Sequence, residues 1–327
     1  MMLVDPFGRR INYLRLSVTD RCNLRCRYCM PEKRTPERNP RGILGYEDLF
    51  RVARAAVSLG VEKIRVTGGE PLHRKGIVRF LEELAVIPGL KRLVVTTNGV
   101  LVGRMANVLR AAGVDSLNIS LDSLRPEVFS RITRGGDLRS VLRGIAAAGD
   151  AGFPSVKINV VVMRGVNDAE IFDFARLSIE RPYKVRFIEY MPTVPEPGWR
   201  SLVVTGEEIK DRLSDRYAIL PVAREELMGP AREYKIGGAA GTIGIITPIS
   251  CGFCGDCNRI RVTAKGIARG CLFESSGLDL TPFLGEGYDP AALMSALRGV
   301  VYRKPEKHGL SDRDTEPRPF LMSQVGG

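Results

Sequence analysis

The chain has 327 residues, 44% hydrophobic and 26% charged, with a formal net charge of +12. That balance excludes a disordered or fibrous chain and fits two domains, or one α/β barrel with an appendage. The first residues, "MMLVDPFGRR", lack the apolar run of a signal peptide, and no stretch approaches the ~18 apolar residues of a membrane span. A cytoplasmic protein with no membrane partner is therefore expected.

From residue 11 to about 191, short apolar strands alternate with helical stretches. The predicted strands are "INYLRLSV", "KIRVTG", "RLVVTTN", "SLNISLD", "SVKINVVVM" and "KVRFIEYM". Between the first two, "YEDLFRVARAAVSLG" places Leu49, Val52, Ala53, Ala56 and Val57 at helical spacing, with Gly60 as the stop. A strand–helix–strand period of roughly 30 residues implies right-handed βαβ units and a parallel sheet. Six units are too few for a closed eight-stranded barrel. The predicted fold is α/β, a partial (β/α)6 barrel of TIM type over residues 1–195, with a doubly wound sheet as the alternative. Residues 196–327 read as a smaller α+β domain. It follows a proline-rich linker and holds a short helix ("GEEIKDRLSD"), a Gly-rich hairpin stretch and a helix starting at Asp289-Pro290.

Seven cysteines fall in two groups: Cys22, Cys26 and Cys29, then Cys251, Cys254, Cys257 and Cys271. An odd total in a cytosolic context argues against a disulfide framework and for two metal sites. The first three follow the first strand, at the rim where parallel α/β barrels build active sites. Thiolates favour zinc or iron–sulfur clusters. A structural zinc wants four ligands, and neither His73 nor His308 is near in sequence. A cubane held by three thiolates keeps one iron open for a small chelating molecule.

C-x3-C-x2-C after the first strand resembles the signature of radical S-adenosylmethionine enzymes. That resemblance implies a partial barrel of six βα units. It also implies a [4Fe-4S] cluster on Cys22, Cys26 and Cys29, with S-adenosyl-L-methionine on the open iron. It places Tyr28, Gly68, Gly69 and Glu70 of "TGGEP", Ser120 and Met191 near that cofactor.

Cys254, Cys257 and Cys271 have C-x2-C-x13-C spacing, with Cys251 a possible fourth ligand. Taken alone, the four could form a zinc ribbon or a filled iron–sulfur site. With "NRIRV" attached, the segment closely resembles the GTP 3',8-cyclase subfamily of molybdenum cofactor biosynthesis. The resemblance implies a second three-thiolate [4Fe-4S] cluster whose open iron takes the guanine base. Cys251 departs from that pattern and reads as a bystander.

Arg259 and Arg261 are two apart in a strand and so share a face, which suits bidentate phosphate recognition. Arg15, Arg65, Lys157 and Arg186 each sit in an apolar strand and should face the barrel interior. Unpaired buried cations are costly. Interior acids such as Glu189 could pair with them, or a triphosphate could neutralise them together. The resemblance assigns Arg15, Arg65, Thr96, Lys157, Arg186, Arg259 and Arg261 to GTP, with Arg261 also a catalytic candidate. The terminal Gly326-Gly327 reads as a disordered end by itself; in the subfamily the tail is functional, making both glycines catalytic candidates.

The implied reaction is that of a radical lyase. A 5'-deoxyadenosyl radical takes the C3' hydrogen of the GTP ribose, and the ring closes onto C8. The product is (8S)-3',8-cyclo-7,8-dihydroguanosine 5'-triphosphate. Implied partners are an electron donor such as flavodoxin or ferredoxin, a downstream cyclic pyranopterin monophosphate synthase and a second copy in a homodimer, with no nucleic acid. Two rivals are a radical enzyme acting on a peptide or RNA, and an iron–sulfur or zinc nucleic-acid regulator. The second would need its basic residues on a surface helix.

Overall fold

The computed structural model describes residues 2–31, 42–191, 193, 196–223, 227, 229–274, 276–308 and 322–325. All six predicted strands form: β1 (Tyr13–Ser17), β2 (Lys63–Thr67), β3 (Arg92–Thr97), β4 (Ser116–Ser120), β5 (Ser155–Val162) and β6 (Tyr183–Glu189). Crossover helices α1 (Tyr46–Ser58), α2 (Ile77–Ala85), α3 (Val102–Ala111), α4 (Pro126–Thr133), α5 (Leu138–Asp150) and α6 (Ile171–Glu180) join them. In α1 the apolar stripe is buried as its spacing requires, and Gly60 takes a φ of +94° just beyond the helix.

The strands lie in the order β1-β2-β3-β4-β5-β6, all parallel. A doubly wound sheet would reverse its order partway, so the barrel expectation holds. In β5, Val156, Ile158, Val160 and Val162 are buried under helices, while Ser155, Lys157, Asn159 and Val161 on the concave face are half-buried. The alternation separates a dry helix-facing layer from a polar interior.

The C-terminal region contributes α7 (Gly206–Ser214), β7 (Ile219–Pro221), β8 (Arg232–Ile236), β9 (Thr242–Ile246), β10 (Arg259–Val262), β11 (Ile267–Arg269), β12 (Leu278–Asp279), α8 (Pro290–Tyr302) and α9 (Met322–Val325). These strands do not stack as a separate layer. β9 adds parallel to β6, and β10 adds parallel to β1. One 12-stranded sheet results, with antiparallel hairpins β8–β7 and β11–β12 at its two ends. An open six-stranded sheet would leave two rows of unpaired backbone groups, and the C-terminal strands cover both. The Gly-rich hairpin stretch is the β8–β9 turn. Helix α8 starts as the sequence suggests, with the Asp289 carboxylate accepting from Ala291 N at 2.8 Å and Pro290 in the first turn. Gly326 and Gly327 lie outside the described residues.

Register decides where the cations go. Arg15 on β1 is level with Arg65 on β2 and with Arg261 on β10. In parallel strands level residues share a face, so three arginines form one row across the barrel floor. Asn159 on β5 is level with Ser120 on one side and Arg186 on the other.

Candidate active site

A cavity of about 1500 Å³, counting its open mouth, occupies the concave side of the sheet. Its walls include Cys29 of the first cysteine group, Cys254, Cys257 and Cys271 of the second, and Arg15, Arg65, Thr96, Arg186, Arg259 and Arg261. Tyr28, the neighbour of Cys29 in the chain, lines it too, as do Ser120 and Met191.

The first cysteine loop, residues 20–30, leaves the end of β1. It turns on itself through Cys29 N to the Cys26 carbonyl (3.0 Å). Leu24 N donates to Cys22 Sγ at 3.4 Å, and Asn98 Nδ2 approaches the same sulfur at 3.8 Å. Burial pushes the Cys26 and Cys29 thiols up, and the neighbouring cysteines and Asp122 push them further. Such sulfurs become good ligands only where a cation's charge offsets the burial. No group of three or more His, Cys, Asp or Glu among the described residues is arranged around a single ion.

Gly68, Gly69 and Glu70 lie beneath this loop, outside the cavity lining. Gly69 N donates to the Thr19 carbonyl and Glu70 N to the Arg21 carbonyl, both at 2.8 Å. A Cβ at Gly69 would overlap the Arg21 carbonyl, so the backbones can approach only because the residue is glycine. The Glu70 carboxylate is fully buried and accepts from Leu72 N (3.0 Å), Thr97 Oγ1 (2.9 Å) and Asn98 N (2.7 Å). Burial raises it to about 7. Glu70 thereby fixes Asn98, which faces Cys22. Tyr28 donates its hydroxyl to Asp122 Oδ2 at 2.6 Å, and burial lifts Asp122 to about 6. Arg134, at the αL position after α4 (φ 55°), donates to the Arg25 and Met30 carbonyls at 3.1 and 3.0 Å and so clasps both ends of the loop.

The second set is electrostatically different. Burial alone would raise the Cys257 thiol, but Arg259 and Lys304 outweigh it and bring it down to about 6. Lys304 Nζ donates to Cys257 Sγ (3.3 Å), the Arg259 carbonyl (3.1 Å) and the Gly270 carbonyl (2.5 Å). All three ammonium protons are used, and they tie the Cys257 segment to the residue before Cys271. Arg9 donates to the Cys254 carbonyl (2.7 Å) and to the Pro305 and Glu306 carbonyls (2.7 and 2.9 Å). Cys251 is exposed, outside the lining, with Arg232 Nη2 3.4 Å from its sulfur. Three thiols therefore face the cavity and the fourth faces away.

Between the two sets the positive charge is largely uncompensated. Arg186 does have an acid, but it is Glu233 on β8 at 2.7 Å, which also holds Lys184 at 3.2 Å. Glu189, the acid that the sequence suggests, instead accepts from Gly206 N (2.6 Å), Ile249 N and Ser250 N (both 3.0 Å) and the Ser250 hydroxyl. It stands where the chain leaves β6, and backbone amides saturate it. Arg65 Nε, Arg186 Nε, Arg261 Nη1, Thr96 Oγ1 and Asn159 Oδ1 are buried with no hydrogen-bond partner among the described residues. Burial, then Arg261 and Arg65, hold the Arg15 guanidinium well below its ordinary value. Asn159 Oδ1 is an acceptor, but the three arginine nitrogens and the Thr96 hydroxyl are unspent donors, and such donors suit an anion.

Lys157 faces the interior one layer deeper than Asn159, bonded to Ser116 Oγ at 2.9 Å, and does not line the cavity. Lys63, which the sequence reading passed over, lies two residues before Arg65 on the same face of β2; its Nζ donates to the Leu227 carbonyl at 2.7 Å over the Tyr13 ring. Its spacing was the available signal. Lys304, Arg9 and Asp122 gave none, because their roles come from contacts far apart in sequence.

An open parallel barrel with C-x3-C-x2-C at the C-terminal end of its first strand defines the radical S-adenosylmethionine class. Residues 16–178 match the Radical SAM superfamily, and residues 183–310 match Molybdenum Cofactor Synthesis C. The GTP 3',8-cyclase of Geobacter sulfurreducens is 60% identical over 327 residues, 100% of both chains. That of Moorella thermoacetica is 45% identical over 323 residues, 99% of each. The crystal structure of Streptococcus suis SuiB bound to S-adenosylmethionine superposes with a TM-score of 0.59 at 17% identity, over 91% of this chain and 68% of that one. SuiB bound to its precursor peptide SuiA gives 0.61 at 16% identity, over 95% and 68%. At such identity the likeness concerns the fold. The chain belongs to the GTP 3',8-cyclase family.

Proposed function

We propose that this chain converts GTP to (8S)-3',8-cyclo-7,8-dihydroguanosine 5'-triphosphate, an early step of molybdenum cofactor biosynthesis. One observation carries the proposal: Cys29 of the first cysteine group and Cys254, Cys257 and Cys271 of the second line a single cavity together with five arginines. Cys22, Cys26 and Cys29 hold one [4Fe-4S] cluster, and Cys254, Cys257 and Cys271 hold another. Bound at the first cluster, S-adenosyl-L-methionine supplies the 5'-deoxyadenosyl radical that takes the ribose C3' hydrogen.

The chain's own contribution is placement and charge. Tyr28, Ser120 and Met191 shape the cavity beside the first cluster, while Gly68, Gly69 and Glu70 set the loop that carries it. Arg15, Arg65, Arg186, Arg259 and Arg261 hold the triphosphate, with Thr96 as a neutral partner and Lys157 charging the floor below. The second cysteine set anchors the base, so ribose and guanine stay in one conformation for an internal ring closure. Arg261 is the best placed of these for help beyond binding, and Gly326-Gly327 complete the site from the C-terminus. Residues 1–195 thus act as the radical-generating unit and 196–327 as the base-binding unit. A flavodoxin or ferredoxin supplies the electron, a cyclic pyranopterin monophosphate synthase takes the product, and the chain works in the cytoplasm as a homodimer.

The test is anaerobic incubation with GTP, S-adenosyl-L-methionine and dithionite, followed by mass spectrometry of the nucleotide. Cyclised nucleotide with 5'-deoxyadenosine is expected from protein carrying about eight irons, four per cubane. Zinc in place of iron, or 5'-deoxyadenosine without any change in GTP, sinks the proposal.

A further inference from the structure

The proposed reaction needs an electron delivered to the first cysteine loop, and the inference here rests on that reading. The outer face of the loop is strongly basic. Arg21, Arg25 and Arg27 lie within it, and all three are exposed. Arg131, near the end of α4, is exposed too, and half-buried Arg134 follows the helix. Backbone bonds join the loop to this helix end: Arg25 N donates to the Thr133 carbonyl at 3.2 Å and Arg27 N to the Ile132 carbonyl at 3.0 Å. Arg25, Arg27, Arg131 and Arg134 are thus brought together where the loop meets the helix end, with Arg21 further back in the same loop. Among the described residues, the acids nearest in the chain or along the cavity wall are half-buried Asp20, exposed Glu127 on α4, and Glu196, which accepts the Tyr190 hydroxyl.

Behind the patch is a second cavity, about 720 Å³ with its open mouth. Arg27 and Arg131 stand in its wall with one acid, Glu196, whose carboxylate is taken up by the Tyr190 hydroxyl, and with Ile132 and Met163. Tyr28 lines this cavity and the main one alike. The two cavities thus share one lining residue, the neighbour of Cys29.

We propose that this second cavity and its arginine rim dock an acidic one-electron donor protein. The chemistry requires only transfer: one electron leaves the reduced donor and enters the cluster held by Cys22, Cys26 and Cys29. No bond forms or breaks, and no proton moves. Charge of one sign on an exposed rim speeds encounter and orients the partner more than it tightens the complex. Redox encounters are small and transient, which a single arginine-rimmed pocket can support. The overall charge of +12 thus includes a concentrated share at the one surface where an electron must enter.

The test compares two reductants. The double variant Arg27→Glu/Arg131→Glu is reconstituted beside the native chain. Bleaching of the cluster absorbance is then followed with hydroquinone flavodoxin and, separately, with dithionite. Docking predicts roughly tenfold slower reduction by flavodoxin at low salt, with the dithionite rate unchanged. Added salt should slow the native chain and close the gap. The milder Arg27→Gln/Arg131→Gln pair serves if the reversal misfolds, and should show an intermediate loss. Equal flavodoxin rates for native and variant overturn the proposal, and so does an equal loss with both reductants, which would mean that the arginines position the cluster. No GTP cyclisation by the native chain under dithionite would overturn the functional reading instead, leaving the reduction rates to judge the docking face.

Discussion

Arg261 has one guanidinium nitrogen buried without a hydrogen-bond partner among the described residues, on a strand level with Arg15 and two residues from Arg259. A phosphate oxygen there would form a charge-assisted bond worth roughly twice a neutral one. Arg261→Ala should lower kcat/KM for GTP roughly 10- to 100-fold while iron content stays full. Normal turnover at saturating GTP would reduce Arg261 to a binder. Lys304 is the opposite case, fully satisfied and facing sulfur and carbonyls rather than the cavity centre. Lys304→Met strands two buried carbonyls and removes the cation beside Cys257. Iron should fall towards four per chain, about half the full complement, with the first cluster's S-adenosyl-L-methionine cleavage retained. Full iron and an unchanged spectrum would show that Lys304 does not hold the second site.

At the scale of elements, the loop after β2 has a structural task that its motif serves. Gly69 N and Glu70 N are spent on the Thr19 and Arg21 carbonyls, directly under the cysteine loop. Gly69→Ala pushes a methyl into a backbone oxygen, which cannot rotate away. Loss of about four irons is expected, with the second cluster's signal intact and circular dichroism unchanged. Full iron loading in that variant would show that the loop can shift without harm. The six barrel strands were legible because each carries an apolar helix-facing set interrupted by polar residues that face inward. Both cysteine groups were legible for the same local reason, short spacing. What the sequence hid was non-local. Nothing in "RIRV" or "TIGII" announces that these strands extend the barrel sheet at opposite edges. Glu233 as the partner of Arg186 depends on the first of those hairpins to form, β8–β9, and Lys304 on where α8 ends.

Across the whole molecule, the barrel interior holds more positive charge than its own acids can balance. Five arginines line the cavity, and Lys63 and Lys157 lie outside its lining on the same inward faces of β2 and β5, bonded to the Leu227 carbonyl and to Ser116. Glu233 offsets Arg186 and Lys184, and Glu189 is consumed by backbone amides. Burial first, then Arg65, Arg186, Arg259 and Arg15, push Lys63 from 10.5 down to about 6. Burial, then Arg186, Lys63, Arg65 and Lys184, do the same to Lys157. The folded pKa of each lysine is below its unfolded value. Between about 6 and 10.5 the unfolded chain therefore carries protons that the folded chain lacks. These two groups make the ligand-free protein more stable as pH rises through that window. A triphosphate reverses the field, because its charge draws both lysines back to the ammonium form. GTP binding at about pH 8 should then take up as many as two protons, one per lysine, and affinity should weaken as pH rises above about 6. Titration calorimetry in buffers of different ionisation enthalpy counts those protons directly. Lys63→Met and Lys157→Met should each lower the count by about one. A count of zero in the native chain would mean that the phosphates never meet the lysines, and that the triphosphate lies higher in the barrel, on the arginines alone.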